Sequence, residues 1–122
     1  MNLLKKPFRY VFLNATMAII FINIAALLLI QMMPRSSLYL GLSFAGLKCH
    51  YFWQPLTYLF VHGSWRHILF NMIALFFFGI PFEKAVGTKE FLLFYFVCGI
   101  LDGLMCMAIY WFFGMNVLLI GA

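Results

Sequence analysis

Residues 11–33 contain no charged side chain, and residues 91–113 contain only Asp102. About 20 consecutive apolar residues are what a helix needs to cross the hydrocarbon core of a bilayer. Two such runs in one short chain decide its solvent. Composition agrees, with 66% hydrophobic residues, 9% charged residues and a mean hydropathy of +1.04, far from soluble globular averages. The chain is expected to be an all-α, polytopic membrane protein with three spans and the start of a fourth. The net charge of +5 does not make it a nucleic-acid binder, because the basic residues are scattered and never form a run or stripe. They report topology instead: Lys5, Lys6 and Arg9 precede the first run with no acid among them, which predicts a cytoplasmic N-terminus. A multi-pass protein of a bacterial inner membrane fits, with the lipid bilayer as its surroundings.

The first run is too long for a signal peptide, has no small-residue cleavage site and ends in Gln31-Met32-Met33-Pro34, so it is read as a retained span over 11–33. Asn14 and Asn23 interrupt it, and helix-to-helix hydrogen bonding accounts for them. Residues 34–64 open with "PRSSLYLGLSFAGLKCHYFW", an extracytoplasmic loop in the membrane interface anchored by Tyr39, Tyr51, Phe52 and Trp53. Ser64 is a candidate N-cap for a second span over 65–82, which Pro81 should end. From 65 to 81 such a helix covers only about 24 Å at 1.5 Å per residue, against about 30 Å of hydrocarbon. A short helix beginning below the surface would leave irregular backbone at depth, tolerated only where protein buries it or water lines it. The third span covers 91–113, and 115–122 lead into a fourth.

The second span carries the chemistry. His67 and Asn71 lie one helical turn apart on one face. His62 lies before the helix and can join them only if the chain bends at Gly63. Three interpretations compete for this group. A metal or haem site would want three or four ligands at tight spacing, whereas Cys49 and His50 are far back in the loop and Asn is a poor zinc ligand; no metal or cofactor is implied. Helix-to-helix hydrogen bonding accounts for His67 and Asn71 without any catalytic role. An oxyanion site, which needs preorganised neutral or cationic donors facing developing negative charge, is also served by an amide and an imidazole one turn apart.

The stretch "WQPLTYLFVHGSWRHILFNMIALFFFG" resembles the second transmembrane segment of rhomboid intramembrane serine proteases. Trp53, Thr57, Phe60, His62, His67 and Asn71 fall in step with that pattern, whose core is H-x4-H-x3-N. The likeness continues through "FEKAVGTKEFLLFY" and through Asn116 to "IGA", which resembles the lead-in to the family's Gly-Ala-Ser-Gly nucleophile motif. The resemblance implies that His67 and Asn71 help form the oxyanion hole, that His62 shapes the cavity above them and that Glu83 ties the cytoplasmic ends of helices. Trp53-Gln54 stands where many rhomboids carry Trp-Arg, so the arginine that would brace the large loop is replaced. Gly121-Ala122 would directly precede the nucleophilic serine, and the general-base histidine would lie further on. The chain therefore resembles the N-terminal part of a serine endopeptidase that hydrolyses transmembrane protein substrates, inactive without its nucleophile and base. The alternative is a non-catalytic rhomboid-like protein that binds transmembrane helices. Asp102, between Gly99 and Gly103 in a small-xxx-small pattern that permits close helix approach, is expected to face the bundle, and Cys98 and Cys106 are expected to pack as small apolar groups.

Overall fold

The computed structural model describes residues 14–120, which leaves Lys5, Lys6, Arg9, Gly121 and Ala122 outside the described residues. Three helices are long and apolar enough to cross a membrane: α1 (Ala15–Met32), a composite helix (Trp65–Val86) and a long C-terminal helix (Thr88–Phe112). Between the first two lie α2 (Ser36–Leu40), α3 (Phe44–Lys48), α4 (Gln54–Thr57) and a 3-10 turn (Tyr58–Phe60). The composite helix consists of α5 (Trp65–Ala74), a π segment (Leu75–Gly79) and α6 (Ile80–Val86), and α7 is Thr88–Phe112. Among the described residues the only β-type contact is one isolated antiparallel bridge, Leu42 to Leu119. The chain is an all-α integral membrane protein. Its outward faces show the apolar surface lipid requires, such as Phe78 at 77% exposure, because lipid tails are as apolar as leucine and do not drive such groups inward.

Pro81 does not end the second span. It sits at the start of α6, and the helix continues to Val86. The wider turn of the π segment just before it changes the hydrogen-bond register, which removes the requirement that the missing proline N–H bond one turn back. The span is thereby about 33 Å long at 1.5 Å per residue, enough to cross. Its supposed shortness gives no argument for a submerged start.

Within the described residues α1 starts at Ala15 with Asn14 as its cap, whose side-chain oxygen accepts from the Met17 amide at 2.8 Å. Asn23 bonds across helices to the Tyr95 side chain on α7 and also within its own helix. Its amide nitrogen donates to Ile19 O within α1 at 2.7 Å, as a polar side chain in an apolar helix does when the nearest acceptor is its own preceding turn. Asp102 is exposed rather than turned into the bundle. The glycines beside it do permit close approach, but to the loop hairpin: a Cβ on Gly99 would lie 2.4 Å from Leu59, and one on Gly103 would lie 2.7 Å from the Tyr58 ring. Tyr58 uses that space to donate its hydroxyl hydrogen to Gly99 O. Burial, then the nearby Asp102, pushes this phenol up to about 12, so it remains a donor.

The core lies between the loop layer and α7, where Leu42, Tyr58, Leu59 and Met107 are buried together. The loop is held by side chains that satisfy its carbonyls. Trp53 Nε1 donates to Tyr39 O at 2.9 Å, Thr57 Oγ1 to Leu40 O at 2.7 Å, and Gln54 Nε2 to Leu38 O and Tyr39 O at 3.1 and 3.2 Å. Gln54 Oε1 also accepts from the Ser43 amide at 3.3 Å, and the side chain is fully buried. Gln54 thus braces the loop in the absence of an arginine. The fit requires Gly46, since a Cβ there would lie 2.1 Å from the Gln54 amide.

At the opposite end, Glu83 is 4% exposed. Its carboxylate accepts from the Ala15 and Thr16 amides at 2.8 and 2.9 Å, from Thr16 Oγ1 at 2.7 Å and from Thr88 Oγ1 at 2.9 Å. One side chain therefore joins the starts of α1 and α7 to α6. Removing the acceptor from the buried Thr16 N–H costs about 1–3 kcal/mol, and the half-buried Ala15 N–H and the two threonine hydroxyls lose theirs as well. Glu83→Ala is expected to lower stability by at least about 2 kcal/mol, with Glu83→Gln losing less. Equilibrium unfolding in SDS-containing mixed micelles measures this, and a wild-type midpoint for Glu83→Ala would show that the bonds contribute nothing net.

Candidate active site

The chain approaches the second span through a buried plug. Tyr58, Leu59 and Val61 are 2%, 1% and 1% exposed, and this anchoring fixes the direction in which His62 emerges. At Gly63 the chain turns, and Ser64 caps α5 by accepting from the His67 amide at 3.2 Å. Ile68, 4% exposed, anchors the first turn. His62, 2% exposed, is held beside the helix it precedes.

His62 Nε2 lies 3.1 Å from Asn71 Nδ2, and His62 Nδ1 lies 3.3 Å from Phe60 O. A carbonyl can only accept, so Nδ1 carries the proton and Nε2 accepts from the asparagine amide. This network defines a neutral imidazole with one tautomer. His67 meets the His62 ring edge-on, with centroids 4.9 Å apart and planes at 68°. The structure therefore brings His62, His67 and Asn71 together, and the hydrogen bond to Asn71 comes from the histidine outside the helix. Asn71 and His67 are half-buried. His62, Asn71, Asn23, Tyr95, Leu59, Met72, Ala74 and Leu75 line a cavity of about 280 Å³. Asn23 and Tyr95 are polar members that the motif did not reveal; the signal available for Asn23 was its place at the middle of an uncharged run.

Trp53 lies in the loop layer, stacked on Tyr51 with centroids 4.9 Å apart, and Glu83 lies at the far end of the composite helix; neither lines the cavity. Burial pushes the His62 imidazole below its ordinary value of 6.5, His67 pushes it the same way, and the bond to Phe60 O opposes both.

The arrangement defines a class: a membrane-embedded helical protein with a neutral histidine–asparagine pair walling a small, partly open cavity. Residues 50–122 match the Rhomboid domain, and the chain belongs to the rhomboid family. It is also similar to Rhomboid-like protease 3 of Toxoplasma gondii, with 30% identity over 74 residues, 60% of this chain. The chain spans 28% of that relative's length.

Because the folded His62 value lies below 6.5, the unfolded chain takes up the proton first as pH falls. Stability linked to this group is complete above 6.5 and is withdrawn as pH drops below it. Protonation would also remove the Nε2 acceptor that Asn71 uses. ¹⁵N NMR of labelled histidine in nanodiscs should show an Nδ1–H tautomer for His62 and a midpoint below 6.5; a midpoint at or above 6.5 would contradict the buried, neutral pair.

Proposed function

We propose that this chain forms the oxyanion-stabilising half of an intramembrane serine endopeptidase acting on transmembrane protein substrates. The observation that supports this most is the Asn71–His62 hydrogen bond at the edge of the cavity. It fixes the plane of a neutral amide donor, with His67 packed against the same imidazole. Donors held in place before charge develops stabilise it without reorganisation. No serine, threonine or cysteine lines the cavity among the described residues. Ile120, whose side chain reaches Gly63, supports a nucleophile introduced by the chain just beyond it, where the resemblance expects one after Gly121-Ala122. These 122 residues alone are proposed to be inactive, since an oxyanion site without a nucleophile has no acyl-enzyme to stabilise.

In a protein that carries the nucleophile and base, Asn71→Ala is expected to lower kcat by about 10²- to 10³-fold, the loss typical of one oxyanion donor. His67→Ala should act in the same direction, and the double change should be less than additive because both residues serve one charge. Cleavage of a fluorogenic transmembrane substrate in proteoliposomes provides the measurement. Wild-type turnover in Asn71→Ala would favour a non-catalytic, helix-binding rhomboid-like protein instead.

The proposed orientation places the N-terminus and the turn at Gly87 in the cytoplasm, supported by Lys84 and Lys89 beside that turn. Cys49 is exposed in the loop layer, so an impermeant maleimide should label it in intact cells. Labelling only after permeabilisation would reverse the topology.

A further inference from the structure

Asn71, Leu75, Gly79 and Glu83 follow one another at every fourth position of the composite helix. In an uninterrupted α-helix each such step overshoots a full revolution by about 40°, so Asn71 and Glu83 would face directions about 120° apart. The structure places all four on one side. Asn71 and Leu75 are half-buried and Gly79 and Glu83 are buried, while Ile73, Ala74 and Phe76 to Phe78 between them are exposed. That side is turned to α1. Glu83 accepts from Thr16, a Cβ on Gly79 would approach the Thr16 methyl group to 2.9 Å, and Leu75 and Asn71 line the cavity that Asn23 also lines. On α1 itself Thr16 and Asn23 are both buried and lie within about 20° of one direction, so the two helices meet along matched stripes.

The π segment supplies the missing rotation. Its hydrogen bonds reach back five residues rather than four. Absorbing one residue in this way takes back about 100°, which leaves Asn71 about 20° from Glu83. We propose that the π segment Leu75–Gly79 is a positioning element of the candidate site, which turns Asn71 into line with the Glu83 anchor and thereby onto His62. The two ends are fixed separately. Glu83 holds α6 to α1 and α7, and the buried plug of Tyr58, Leu59 and Val61 fixes where His62 emerges. The winding between these anchors decides which side chain of α5 meets the imidazole. Wound as α-helix throughout, the same residues would put Met72 in the direction that Asn71 occupies, and a thioether offers His62 Nε2 no donor. This phasing stands on geometry and requires no turnover; its effect on catalysis rests on the proposed function.

The test uses the 122-residue protein in lipid bilayers. Oriented-sample ¹⁵N NMR of the wild type should show amide couplings that oscillate with the 3.6-residue period over 65–74 and again over 80–86, with a phase break of about 100° between them. One unbroken oscillation over 65–86 would overturn the proposal. Two variants then separate phasing from mere disturbance of the helix. Deleting Phe77, which lines neither cavity, together with Pro81→Ala to avoid a proline kink, converts the span to regular α-helix with Asn71 still in line. It should keep the ¹⁵N–¹⁵N contact between Asn71 Nδ2 and His62 Nε2, 3.1 Å apart in the wild type. Inserting one alanine after Phe77 adds about 100° and should abolish that contact. Loss of the contact in the folded deletion variant, or its survival in the insertion variant, would overturn the proposal, and where a variant does not fold the wild-type phase break decides. In a protein that carries the nucleophile and base, the insertion should lower kcat as Asn71→Ala does, by about 10²- to 10³-fold, and the deletion variant should keep its turnover. Wild-type turnover in Asn71→Ala, with the phase break present, would remove the catalytic reading and leave the phasing in place.

Discussion

Glu83 is the interaction on which the arrangement depends. In a bilayer, burial of apolar side chains does not by itself bring helices together, because lipid solvates them equally well. Association relies on packing and on polar groups with few alternatives. The first amides of α1 lack intrahelical partners, and the Glu83 carboxylate accepts from Ala15 and Thr16 there while also accepting from Thr88 at the start of α7. A carboxylate at a helix N-terminus also complements its dipole. Thr16 then lies against Gly79, where a Cβ would approach its methyl group to 2.9 Å. This contact seats α1 against the π segment and sets the height at which Asn23 faces the cavity.

The other end is governed by the loop layer. Gln54, Trp53 and Thr57 satisfy the carbonyls of three successive residues, Leu38, Tyr39 and Leu40, so irregular backbone near the membrane surface does not leave acceptors unpaired. With α4 fixed, the 3-10 turn follows in one direction, Tyr58 and Leu59 lodge over Gly103 and Gly99, and Val61 carries the chain to His62. The polar bracing of the loop and the placement of the buried histidine are therefore one construction.

Much of this was legible from patterns. Uncharged runs of spanning length revealed the membrane class, and helical arithmetic put His67 and Asn71 on one face. That arithmetic stops where the helix stops. His62 precedes the cap, so its bond to Asn71 depends on a bend at Gly63 that no periodicity encodes. The breaker rule failed at Pro81 for a related reason, since a π segment upstream changes which backbone groups need partners. At Asn23 the cross-helix bond suggested by its polarity is made, to Tyr95 on α7, while the second bond to Ile19 O within the same helix was not legible, because a polar side chain can also turn to its own preceding turn. For Asp102 the small flanking residues suggested a helix neighbour. The space they open is filled by Tyr58 and Leu59, and contacts so distant in sequence leave no local signature.

The state of His62 links the fold to the chemistry. A protonated imidazole offers only donors and would turn away the Asn71 amide. A neutral one in the other tautomer would lose its bond to Phe60 O. Burial favours the neutral form, and the Phe60 carbonyl selects the Nδ1–H tautomer, so two features of the loop plug together present a single acceptor to α5. One N–H of Asn71 is committed to that acceptor. Because the amide is planar, this bond also sets the direction of its other N–H. A rotatable side chain is thereby held in one orientation, and under the proposed function that is the condition under which one hydrogen bond can contribute to stabilising developing charge rather than to reorganising around it.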